Sequence, residues 1–145
     1  MFSLFKRKNT EIEDVYNHIM DDARAPKLYE DYGVEDKPAM RFQMIALHAV
    51  PYILRYSNEG QSRKSQALFD MIFRDVELSF REIGVGDLAV PKKMKKYMQI
   101  FNGVVQVHAA ANADHVGITK RHVCDEGQSM PQEFQDYIRG LFYGV

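Results

Sequence analysis

The sequence predicts an all-α protein, a compact bundle of about five to six helices with a central apolar helix. Three observations carry that expectation. Apolar residues recur at intervals of three and four along most of the chain, no stretch sustains the alternation of a β-strand, and glycines, prolines and capping residues divide the periodic segments. With 145 residues, 46% hydrophobic and 27% charged, the composition is that of a soluble globular protein. The length favours a single domain over 10–145 behind a short basic and apolar arm at 1–9.

Thr10 and Glu13 have the spacing of a capping box, so the first helix is expected to open there. It sets Ile12, Val15, Ile19 and Ala23 on one face, with Tyr16 and Met20 beside them. Pro26 and Gly33 bracket a short second helix. The third is expected from Pro38 to about Ser57 and is apolar almost all round, which marks it as central. Its polar exceptions Arg41, His48 and Arg55 repeat every seven residues, and Pro51 is expected to kink it.

The fourth helix directs Leu68, Ile72, Val76, Phe80 and Ile83 inward, with Phe69 and Phe73 alongside. Asp70–Arg74 and Glu77–Arg81 are i,i+4 pairs on its outer stripe. Gly84 is expected to end it in a left-handed cap. A fifth helix, from Pro91 or slightly earlier to about Ala113, buries Met94, Phe101, Val104, His108 and Ala111. "PQEFQDYIRGLF" is a last amphipathic helix with Phe134, Tyr137, Ile138 and Leu141 inward.

Composition also limits function. A net charge of −1 excludes a polycation built for DNA. One cysteine, Cys124, allows no internal disulfide and fits a reducing compartment. The start "MFSLFKRKNTE" reads as neither signal nor transit peptide, and no window has the roughly 20 apolar residues of a membrane span. A cytoplasmic protein is therefore expected, peripheral at most on the inner membrane.

"REIGVGDLAVPKKMKK" (81–96) needs an account of its own. A dinucleotide fingerprint requires a preceding strand and a third glycine, whereas here a helix precedes and Ala89 stands in the glycine's place. Gly84 and Gly86 are thus structural, making a helix cap and tight turn, and Asp87 is expected to cap the next helical turn. Lys92, Lys93, Lys95 and Lys96 crowd the start of a helix, where the macrodipole disfavours cations. Stability alone would prefer acids there, so a demand beyond folding is indicated: an acidic partner, anionic lipid or RNA.

No catalytic constellation emerges. The chain has no Gly-flanked serine elbow, no H-E-x-x-H, no C-x-x-C and no Glu-x-x-His. His108, His115 and His122 are spaced by seven with Cys124 close behind, but Gly117 and its β-branched neighbours interrupt any single helical face. His48 reads as a hydrogen-bonded core residue. No enzyme activity, metal or cofactor is expected.

"RFQMIALH" (41–48), "QALFDMIFRDVELSFREIGVGDLAVPKKMKK" (66–96) and "FNGVVQ" (101–106) resemble the ubiquinol–cytochrome c chaperone family, which assembles cytochrome b of respiratory complex III. The likeness spans residue 10 to about 112. It implies an all-helical chaperone that holds newly made cytochrome b before assembly of the cytochrome bc complex, working with a small partner chaperone and near the ribosome. Without a transit peptide the chain looks like a bacterial member. The candidate partner-binding residues are Arg41, His48, Arg74, Asp75, Arg81, Asp87, Lys92, Lys93, Lys95 and Lys96.

Two alternatives stand beside it. One is a helical metal- or haem-binding protein or enzyme using His48, His108, His115, His122 and Cys124. The other is a peripheral membrane adaptor using Phe2, Leu4 and Phe5 beside Lys6, Arg7 and Lys8.

Overall fold

A computed structural model describes residues 2–144, with side chains from Thr10 to Gly144. The described residues form seven helices and no strand: α1 (Phe2–Ala23), α2 (Pro26–Glu30), α3 (Pro38–Asn58), α4 (Ser62–Glu82), α5 (Val90–Ala109), α6 (His115–Val123) and α7 (Gln132–Tyr143). The all-α expectation is met.

Helix α1 corrects the capping-box reading. Its backbone is already helical at Phe2, so Thr10 lies inside the helix and not at its start. Once a helix is nucleated, adding one more residue costs little, and propagation upstream overrides a local start signal. The side chains of the basic arm fall outside the described residues. Helix α2 starts with Pro26 in its first turn, and Gly33, at φ +79°, follows its end.

Helix α3 is the centre. Phe42, Ala46, Ala49, Val50, Ile53 and Tyr56 face a core built with α1, α4 and α5. Met44 and Leu47 face a second core, where Leu28, Met130, Phe134 and Ile138 close over them. One helix can serve both because its apolar surface runs nearly all round, as its composition requires. Helix α3 runs on through Pro51, although proline offers no amide to the carbonyl of Leu47.

An aromatic chain fixes α4 and α5 against α3. Phe42 meets Tyr97 edge-on at 4.7 Å between centroids, Tyr97 meets Phe80 at 5.2 Å, and Phe73 meets Phe101 at 5.5 Å. Each such pair adds about 0.5–1.5 kcal/mol beyond area burial. The Tyr16 hydroxyl donates to Asp75 and ties α1 to α4.

Three expectations on these helices are corrected. Ile83, expected to point inward, is 73% exposed, because α4 ends at Glu82 and the cap turns the next side chain outward. Asp70 accepts from Gln66 at 2.8 Å instead of pairing with Arg74. Helix α5 stops at Ala109, leaving Ala111 exposed, and the separate helix α6 follows. Asp114 starts α6 by accepting the amide of Gly117 at 3.0 Å.

Candidate partner-binding corner

The α4–α5 connection is assembled from backbone chemistry first. Gly84, at φ +87°, lets the amide of Val85 reach the carbonyl of Phe80 at 3.0 Å and its own amide reach Arg81 at 3.2 Å. This Schellman pairing satisfies two carbonyls that the helix end leaves without partners. The carbonyl of Gly86 then accepts from Ala89 at 2.9 Å and Val90 at 3.2 Å, starting α5. Val90, 1% exposed, is the plug that seats the new helix.

Arg81 clamps this turn. Its guanidinium donates to Glu77 at 3.1 Å and to Asp87 at 2.7 Å, bridging the last turn of α4 to the loop. Asp87 is therefore an ion-pair partner and not the expected helix cap, since α5 has no side-chain N-cap. An open groove of about 520 Å³ runs between the helices, lined by Glu77, Arg81, Val90, Pro91, Met94, Lys95 and Met98 among others.

Lys92, Lys93, Lys95 and Lys96 occupy the first two turns of α5 and are all exposed. Among the described residues none of them has a carboxylate within ion-pair distance. Lys93 lies 5.9 Å from the Phe80 ring centroid. Four cations face the positive end of a helix dipole with no carboxylate among the described residues to compensate them.

The remaining candidates lie apart from one another. Arg41 pairs with Asp36 through two contacts of 2.6 and 3.1 Å, and that hydrogen bond holds the Asp36 carboxyl below the usual range. Arg74 is exposed two turns before Arg81 on α4, and Asp75 is half-buried against Tyr16. His48 is buried. Its Nδ1–H donates to the Met44 carbonyl at 2.6 Å, which leaves Nε2 to accept the Tyr137 hydroxyl, also at 2.6 Å. Burial pushes its pKa down and keeps the ring neutral.

The other histidines form a separate cluster. His108 and His115 share a hydrogen bond between Nδ1 atoms at 2.8 Å, and both rings stack with Phe142. Burial, then the nearby charges of His115 and His122, brings His108 down to about 4. His122 turns Nδ1 to the Ile118 carbonyl at 2.8 Å, and burial raises the half-buried Cys124 thiol. Among the described residues no group of three or more His, Cys, Asp or Glu is placed to hold a metal ion.

Two features escaped the sequence reading. Leu88 is 99% exposed in the same connection as the exposed Ile83, signalled only by an apolar residue inside a glycine-rich turn. The His108–His115–Phe142 stack had no local signal, because it forms when three helices meet.

Residues 30–120, which contain the whole α4–α5 corner, match the family described as Ubiquinol-cytochrome C chaperone. The chain belongs to the ubiquinol–cytochrome c chaperone family. This chaperone-family chain is also similar to the crystal structure of the Cbp3 homolog from Brucella abortus, with a TM-score of 0.74 and 30% identity over 94% of this chain and 83% of that one. No match is found among curated protein sequences. Among the described residues of this family member, no helix is long and apolar enough to cross a membrane.

Proposed function

We propose that this protein is a non-enzymatic chaperone that binds newly made cytochrome b and assists assembly of the cytochrome bc complex, working from the cytoplasmic face of the inner membrane. The observation that carries the reading is the uncompensated lysine row on α5, inside the stretch that matches the family. Arg81 and Asp87 hold the corner in shape, and the lysines meet the partner. Arg74, on the same stripe of α4, extends the basic surface. A small partner chaperone and the ribosome are further candidates for contact.

The test is recovery of cytochrome b with the tagged protein from detergent-solubilised membranes, where no bilayer remains. Parent and the Lys92→Gln, Lys93→Gln, Lys95→Gln, Lys96→Gln variant are compared at equal expression. Capture by the parent should be salt-sensitive, because screening acts within about 8 Å at physiological ionic strength, and capture by the variant should be reduced. Stability should hold or rise slightly as repulsion with the helix dipole disappears. Equal recovery refutes the lysine face, and no recovery by the parent refutes the client.

A further inference from the structure

The α4–α5 corner carries two kinds of surface that folding does not explain. At its tip, Leu88 is 99% exposed and Ile83 73% exposed, the two largest exposures among the large apolar side chains described. Neither lines the groove between α4 and α5. Both belong to the α4–α5 connection, one just after the end of α4 and one just before α5. Behind the tip, residues 77–96 hold five cations against three carboxylates, in a chain whose net charge is −1. Arg81 already occupies two of those carboxylates, Glu77 and Asp87, and Glu82 is the third.

We infer that this corner docks on an anionic lipid bilayer, with Leu88 and Ile83 entering the acyl boundary and the lysines of α5 lying against the headgroups. Three properties select a bilayer over a protein groove. A side chain exposed on every side is best covered by a medium that closes around it, and lipid does so without a shaped pocket. Lysine stems also reach along apolar surface while keeping their charge in the headgroup layer. The tip is held by the Gly84 cap and the Arg81 clamp, so insertion orders little that was free. Such docking would set the lysine-bearing face of α5 at the membrane surface, where a membrane-protein client is met. It goes beyond the chaperone reading and does not depend on it.

The chain contains no tryptophan, so Leu88→Trp supplies a single fluorescent reporter at the most exposed apolar position. The probes are phosphatidylcholine vesicles with and without phosphatidylglycerol, and the same vesicles made with brominated acyl chains. The expected result is a blue shift and bromine quenching of the reporter's emission with phosphatidylglycerol vesicles only, reversed by salt. Val107→Trp, near the far end of α5 and about 25 Å away along the helix axis, should show neither change. Adding the four Lys→Gln substitutions to Leu88→Trp should weaken partition on the order of a thousandfold at low salt.

Sedimentation of the Leu88→Trp protein with vesicles while its emission stays unchanged would place membrane contact elsewhere, the N-terminal arm included, and overturn the inference. Equal response to pure phosphatidylcholine would overturn its electrostatic basis. An emission shift seen only on adding solubilised cytochrome b would assign the tip to protein, overturning the lipid reading while supporting the client. The outcomes read with vesicles alone do not bear on capture of cytochrome b in detergent, so the two proposals fail separately.

Discussion

Replacing Gly84 tests whether the corner is held by backbone conformation. Its φ is +87°, and a Cβ built there meets no heavy atom within 4 Å. Crowding therefore contributes nothing, and the whole cost of a side chain is the dihedral itself. For an L-residue in the left-handed region that cost is about 1–2 kcal/mol. Any side chain also stiffens the unfolded chain, an opposing gain of about 0.4–1 kcal/mol. Gly86 is the internal control, since it lies outside the left-handed region and an added Cβ there also meets open space. Gly84→Ala and Gly86→Ala share the unfolded-state gain, so the difference between them isolates the dihedral. We expect Gly84→Ala to be less stable than Gly86→Ala by about 1–2 kcal/mol, with Gly84→Val at or beyond that end. The assay is urea unfolding followed by circular dichroism, with midpoint and slope both fitted. Equal midpoints for the two alanine variants, at equal slopes, would refute the claim that the cap conformation shapes the corner.

Two further outcomes follow from the polar groups inside the fold. Tyr137→Phe removes the hydroxyl that His48 Nε2 accepts at 2.6 Å, leaving a buried acceptor unpaired, and should destabilise by about 1–3 kcal/mol in the same urea assay; parental stability would contradict that bond. His108 is held below its ordinary value, at about 4, so the unfolded chain binds the proton more readily and its contribution is fully present above about pH 6.5. Stability should fall as pH drops from there toward 4, by about 1–3 kcal/mol after allowance for screening. His108→Phe should flatten that part of the urea-midpoint profile, and an unchanged slope would reject the assignment.

The parts of the fold that depend on local period and local punctuation were legible. The inward faces of α1, α3 and α7 follow 3.6-residue spacing, and Gly84 announced itself by falling directly after the last periodic residues of α4. Reading failed where one rule displaced another. Ile83 continues the apolar period from Phe80, yet the helix ends before it, so a terminus overrode periodicity. Helix α6 carries Gly117 and β-branched Val116, Ile118 and Thr119, which obscure so short a helix; its one clear signal was Asp114, placed to cap it. At the site, the lysines could be read because they oppose the helix dipole. The Arg81–Asp87 clamp could not, since it depends on how the turn swings the loop back over α4. The His108–His115 pair arises only because the chain reverses between Ala110 and Asp114 and Phe142 arrives from α7.

The two-sided burial of α3 has a consequence for how the chain emerges during synthesis. The buried members of the first core end at Val104, whereas the second core waits for Met130, Phe134 and Ile138. At about 5–20 residues per second, the ribosome leaves Leu28, Met44 and Leu47 without that cover for about 2–7 s after the first core is complete. Helix α7 lies outside the stretch that matches the family, yet it helps to cover Met44 and Leu47 on the second side of the central helix. A chain terminated prematurely before α7 would therefore not be a smaller stable domain. It would be a finished half-bundle with an open apolar seam, recognised by quality-control chaperones and proteases before it ever met a client.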